Sequence, residues 1–167
     1  MAKKSTHKSV EWYTPAWIFD ELDIEFDLDP CSPYDMESNV PAREKFTLFD
    51  NGLSKEWSGR VWLNPPYGRE TPIWVDRFIN HGNGIALLFS RTDAKWCQKC
   101  MSKATAILFI GGRIEFVPGK ENNHKKSRSG AGTIMFAFGP DCVEALERMK
   151  HHGFFVYGSS HYRGKNQ

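Results

Sequence analysis

A chain of 167 residues, 40% apolar and 25% charged, has the make-up of one globular domain with a real core, which argues against wholesale disorder. It has no run near the roughly 18 apolar residues of a membrane span, no apolar segment behind its basic start, so no secretory signal is expected, and four scattered cysteines that fit a reducing cytoplasm better than a disulfide framework. The net charge of +2 does not by itself mark a nucleic-acid binder, but its distribution is uneven enough to predict an acidic pocket and separate basic surfaces.

Residues 1–11, with Lys3, Lys4 and Lys8, read as a basic tail. Thr14-Pro15 has the form of a cap followed by a first helical residue and predicts a helix through Leu22. Ile24, Phe26 and Leu28 alternate with Glu25, Asp27 and Asp29, which predicts a strand that stops at Pro30. Between Asp20 and Glu37 there are eight acidic residues and no Lys or Arg. The polar stretch from Cys31 to Lys45 has no period and reads as a loop. Arg60 to Leu63 is a short strand running into Asn64-Pro65-Pro66-Tyr67, where two prolines end any ladder. Thr71-Pro72 repeats the cap signature and opens a helix with Ile73, Trp74, Phe78 and Ile79 as its apolar positions.

Gly84 to Phe89 and Thr105 to Ile110 are apolar runs of the kind found in strands buried on both faces, separated by a helix over Asp93 to Lys103. Gly111-Gly112 predicts a hairpin into Arg113 to Val117. Residues 118–130, with Lys120, Lys125, Lys126 and Arg128, read as a mobile basic loop. A strand (Thr133 to Phe138), a helix (Asp141 to His152) and a last strand (Phe154 to Tyr157) complete a domain over residues 12–158, with 159–167 as a tail. The alternation predicts a single compact α/β domain with a mixed sheet. In such sheets ligands sit beyond the carboxyl ends of the strands, which is where Asp29 and Asn64 fall.

Asn64-Pro65-Pro66-Tyr67 is the sharpest chemical signal. An aromatic amine is a poor nucleophile because its lone pair is delocalised into the ring. Two acceptors aimed at its hydrogens, the Asn64 side-chain oxygen and the Pro65 carbonyl, draw it towards tetrahedral geometry. The prolines lock those acceptors, since their φ is fixed and they have no N–H to divert. Tyr67 offers a π face for the base. Catalysis of this kind is positioning and oriented dipoles, with no strong base needed.

Taken in order, Trp12-Tyr13-Thr14-Pro15, Phe26-Asp27-Leu28-Asp29-Pro30-Cys31, Phe46-Thr47, Gly52-Leu53, Trp57, Val61-Trp62 and Asn-Pro-Pro-Tyr resemble the small phage-type DNA adenine-N6 methyltransferases. Gly112-Arg113-Ile114-Glu115-Phe116 resembles a late Gly-Arg-x-x-Phe segment of that family. The resemblance implies a class I, Rossmann-like fold with S-adenosylmethionine as methyl donor. It implies that Tyr13, Thr14 and Pro15 line the methionine end of the cofactor, that Asp29, Pro30 and Cys31 form its acidic corner, and that Asp50 accepts from the adenosine amine with Phe49 beside the ring. The usual glycine-rich loop is replaced here by Cys31-Ser32-Pro33-Tyr34.

The partner so implied is DNA, with the adenine flipped from a duplex or taken from a single strand. Lys125, Lys126, Arg128 and Arg91 are the candidate phosphate contacts. A cytoplasmic enzyme of a bacterial host, encoded by phage or prophage, follows. The rival readings are a non-catalytic DNA-binding or anti-restriction module on the same fold, and a protein-glutamine methyltransferase, whose carboxamide substrate presents a similar planar amine. Cys97/Cys100, Trp62 and Trp74 read as core, and His151-His152 as favourable cations at a helix end rather than metal ligands. No metal is expected.

Overall fold

Each short apolar run becomes a strand, and each three-to-four-residue apolar spacing a helix, in the computed structural model, which describes residues 12–34, 37–119 and 129–159. In chain order the elements are β1 (Trp12–Tyr13), α1 (Ala16–Leu22), β2 (Phe26–Asp29), β3 (Ala42–Lys45), β4 (Val61–Leu63), α2 (Thr71–His81), β5 (Gly84–Phe89), α3 (Lys95–Lys103), β6 (Ala106–Ile110), β7 (Val117–Pro118), β8 (Thr133–Phe138), α4 (Pro140–Arg148), a 3-10 turn (Lys150–His152) and β9 (Gly153–Tyr157). The main sheet has seven strands in the order β3-β2-β4-β5-β8-β6-β9. Strands β3, β2, β4 and β5 are parallel, and β8 lies antiparallel between β5 and β6.

Both faces of the central strands are apolar, so both must be covered. On one face Ile18, Phe19 and Leu22 of α1 and Leu146 of α4 pack against Trp62 and Leu87. On the other, Trp74 and Phe78 of α2 and Cys97 and Cys100 of α3 pack against Leu63 and Leu88. The two cysteines are therefore buried core, as their spacing on one helix face predicted, and burial holds the Cys97 thiol up at about 11. Among the described residues no helix is long and apolar enough to cross a membrane.

The connections position the site. From β2 the chain runs outward to β3 at the sheet edge, then returns past β2 to β4 on its other side. Neighbouring strands whose connections leave in opposite directions open a crevice at their carboxyl ends. Leu28 stands opposite Val61, so the residues leaving β2 and those leaving β4 emerge side by side into that crevice.

Four local expectations change in the folded chain. Thr14 does not cap α1: the helix begins at Ala16 with Pro15 in extended geometry at the cap position and no side-chain cap bond. Residues Ala42–Lys45 are a strand; their charged sequence shows no alternation because β3 is an edge strand, largely open to solvent. Gly111-Gly112 turns the chain, with Gly112 at φ 75°, but makes no hairpin, because both edges of β6 are taken by β8 and β9. The chain instead crosses to β1, pairing Tyr13 with Val117 and Trp12 with Pro118. Finally, α4 ends at Arg148, and Lys150–His152 tighten into the 3-10 turn.

Gly84 opens β5 at φ 152°, and a Cβ there would be driven into the carbonyl oxygen of Val61 on the neighbouring strand. Neither the conformation nor the contact can relax without parting β4 from β5. Gly84→Ala is expected to destabilise the domain by about 2–3 kcal/mol, read as a lowered midpoint in chemical unfolding.

Candidate functional site

A cavity of about 520 Å³ fills the crevice between the ends of β2 and β4. That is within the usual range for a small-ligand site, roughly 300–1,000 Å³. Its walls come from three segments distant in sequence: Trp12 and Thr14 before α1, Asp29 to Pro33 after β2, and Asn64 to Tyr67 after β4. The turn that includes Thr47, Leu48 and Gly52 closes a further side. Gly52 is required there by close approach, since a Cβ would collide with the Pro30 carbonyl and press on Trp74.

The tetrapeptide is held at both ends. Asn64 Nδ2 donates to Thr14 Oγ1 at 3.2 Å, and the Asn64 carbonyl accepts from the Cys31 thiol at 3.2 Å. Thr14 is itself fixed, because its carbonyl accepts from Asn39 Nδ2 at 3.1 Å. With its nitrogen committed, the Asn64 amide keeps Oδ1 as its acceptor. At the other end Thr71 Oγ1 donates to the Pro66 carbonyl and accepts from Gly68 N–H, so this threonine ties the loop to α2 rather than capping the helix. The Pro66 carbonyl is thus occupied, while that of Pro65 accepts no hydrogen bond among the described residues.

Tyr67 lies flat on Phe89, ring centroids 3.7 Å apart and planes 16° apart. Its hydroxyl points in towards the Leu87 carbonyl, and burial of that hydroxyl raises its pKa above the phenol range. The residue as a whole remains 40% exposed, so a rigid aromatic ring is presented at the cavity rim. Phe89 could have been suspected only as an aromatic ending a buried strand.

Among the described residues of the acidic run 20–37, Asp29 is the one that lines the cavity; Asp20, Asp23 and Glu25 are exposed on the surface. It is 2% exposed. Burial pushes its carboxyl up to about 7, against the opposing pull of the Cys31 N–H, the Ser32 side chain and Lys45. Burial and the neighbouring Asp29 also raise the Cys31 thiol well above its ordinary range, so it remains a donor to Asn64. Two buried donors, the indole N–H groups of Trp62 and Trp74, have no hydrogen-bond partner, and both residues line the cavity as well as packing in the core.

The remaining candidates divide clearly. Pro30 and Cys31 line the cavity; Tyr13 does not, because alternation along β1 turns it into the core while Trp12 and Thr14 face the cavity. Pro15 sits at the start of α1, outside the lining. Phe49 is 75% exposed, with its ring 5.1 Å from that of Tyr34. Asp50 turns its carboxylate onto Thr47 N–H and Oγ1, at 2.7 and 2.9 Å, which lowers its pKa. Neither Phe49 nor Asp50 lines the cavity. Arg91 is exposed just past β5. Lys125, Lys126 and Arg128 lie outside the described residues.

The chain is thus an α/β domain with a mixed sheet whose Asn-Pro-Pro-Tyr loop and buried Asp29 carboxylate face one crevice. The sequence profile described as DNA N-6-adenine-methyltransferase (Dam) matches residues 2–148, and the chain belongs to this family. Membership implies methylation of the N6 amine of DNA adenine. Comparisons with curated proteins and with solved structures gave no match.

Proposed function

We propose that this chain transfers the methyl group of S-adenosylmethionine to the N6 amine of adenine in DNA, on a class I, Rossmann-like methyltransferase fold. The observation that carries the reading is the hydrogen bond from Asn64 Nδ2 to Thr14 Oγ1. It supports an amide orientation that leaves Oδ1 to accept from the amine. The switch-point crevice supports the fold.

The cavity suits the cofactor. S-adenosylmethionine carries a sulfonium, an ammonium, a ribose diol and an adenine. Asp29 is a buried acceptor for a cation or a hydroxyl, the Trp62 and Trp74 indoles are buried donors without partners, and Gly52 lets the backbone approach closely. Asp29, Pro30 and Cys31 would hold it from the β2 side and Thr14 from β1. Bound there, it supplies an electrophilic methyl group.

The chain's own residues then act on the amine. Asn64 Oδ1 and the Pro65 carbonyl accept its two hydrogens and bring the nitrogen lone pair out of conjugation. Tyr67, backed by Phe89, stacks on the base and holds it in the plane those acceptors require. The new N–C bond forms as the S–C bond breaks, and the surplus proton leaves to solvent. A base in a duplex must be extruded to reach this position. Lys125, Lys126 and Arg128, with Arg91, are the phosphate contacts, their fixed positive charge suiting the DNA backbone. The setting is the cytoplasm of a bacterial cell, with a phage or prophage origin.

The test is methyl transfer from labelled S-adenosylmethionine to unmethylated duplex DNA, with nucleosides analysed by mass spectrometry. N6-methyladenine is the expected product. Label in N4-methylcytosine would reassign the target base. Folded protein that binds the cofactor and modifies neither duplex nor single-stranded DNA would overturn the reading.

A further inference from the structure

Away from the crevice, Glu21 in the last turn of α1 meets two consecutive histidines of the 3-10 turn between α4 and β9. Nε2 of His151 stands 3.4 Å from one Glu21 carboxylate oxygen, and Nε2 of His152 stands 3.3 Å from the other. One ligand atom from each of the three residues falls within 4.8 Å of the others. Two ligands of a tetrahedral zinc ion, each roughly 2.0–2.1 Å from the metal, are about 3.3 Å apart. Each Glu21–histidine distance matches that separation, and the three ligand atoms are close enough for small side-chain adjustments to place them around one ion.

The hydrogen bonding around the histidines points the same way. Nδ1 of His151 lies 3.1 Å from the Arg148 carbonyl, which can only accept, so the proton is on Nδ1. In the neutral ring Nε2 then turns a lone pair towards a carboxylate. A proton or a metal cation must relieve that repulsion. A ring N–H donated to a backbone carbonyl is also how metal-bound histidines are usually held. His152 Nε2 is buried and makes no hydrogen bond, although it faces Glu21. Its ring is fixed between His151 and Trp17, centroids 4.1 and 4.9 Å away. Neighbouring cations have other partners: Arg148 binds Glu144 and the Leu22 carbonyl, and Lys150 pairs with Glu147.

We infer that Glu21, His151 and His152 form a binding site for a divalent transition-metal ion of the zinc class. Two imidazoles and one carboxylate favour such borderline ions over magnesium or calcium, which prefer all-oxygen sites. His151 is 59% exposed at its side chain, so an ion enters directly from solvent. The site would clamp the last turn of α1 to the turn after α4, at the opposite end of α1 from Thr14. Its role is structural.

The experiment is calorimetric titration of the chelator-treated full chain with zinc chloride, paired with Co²⁺ absorption spectra. One equivalent should bind and raise the melting temperature. Affinity for it should fall about tenfold or more in Glu21→Gln, His151→Asn and His152→Asn, each of which should melt like the unsubstituted chain without metal. Bound Co²⁺ should show visible bands without thiolate-to-metal absorption. Absence of a first equivalent, equal affinity in the three variants, or thiolate absorption placing the ion on cysteine would each overturn the assignment.

Discussion

Replacing Asn64 by alanine is expected to stop methyl transfer while cofactor binding and the fold persist. The side chain is only half-buried at the cavity wall, so truncation opens no core void. What it removes is one of the two acceptors that make a delocalised amine nucleophilic. Loss of one preorganised dipole of this kind lowers kcat by about 10²–10³. Single-turnover rates with calorimetry of S-adenosylhomocysteine separate the two effects, and near-normal turnover in the variant would remove Asn64 from the mechanism. Thr14 provides the companion measurement. Thr14→Val keeps the shape and loses the acceptor for Nδ2, so the amide is free to flip; kcat at saturating cofactor should fall about tenfold, and Thr14→Ser should restore it. A Thr14→Val variant that instead loses cofactor affinity would make Thr14 a cofactor residue alone.

Asp29 should oppose stability while serving the cofactor. Burial pushes its carboxyl from 3.8 up to about 7. Between those values the folded chain keeps a proton that the unfolded chain has released, so stability falls as pH rises from about 4 to 7 and stays reduced above. A shift of this size corresponds to about 4 kcal/mol at most above pH 7. Asp29→Asn retains an acceptor for the Cys31 N–H and cannot ionise, so it should melt above the parent chain at pH 8 and match it more closely near pH 4. Cofactor affinity should move the other way. If the carboxylate form binds the cofactor, affinity in the parent chain should drop about tenfold from pH 8 to pH 6, whereas Asp29→Asn should bind weakly with no such slope. Superimposable melting profiles of the two proteins across pH 4 to 8 would sink the argument.

This trade-off is an instance of a local rule broken where chemistry needs it. A carboxylate at the end of a buried strand contradicts the preference of every neighbour in the core. Asp29 is legible in the sequence because the alternation of β2 ends on it, and Asn64 because two prolines stop β4 one residue later. The long apolar strands β5, β6 and β8 and the helix α2 were equally legible. Their periodicity reflects burial on both faces or on one, and burial is a property the residues themselves carry.

What escaped was whatever depends on a partner far along the chain. β3 is charged and aperiodic, and is a strand only because β2 offers an unpaired edge. The hydroxyl of Thr14 has two chemically equivalent uses, capping a helix or holding Asn64, and the choice is made by the packing of β1 against the end of β4. Asp50 has the chemistry of a cofactor ligand but bonds to Thr47 three residues away, a contact that closes at little entropic expense. Phe89 beneath Tyr67, 22 positions away, and Glu21 beside His151 and His152, 130 and 131 positions away, are pairings that no local pattern encodes.

By itself, then, the sequence determined the strands and helices with a strong apolar period, the α/β class, and the amine-polarising loop at a strand end, because each is written in neighbouring residues. The tertiary structure alone decided which polar groups meet. A hydrogen bond or an ion pair has a reach of about 3 Å, and only the folded chain brings the ends of β1, β2 and β4 that close.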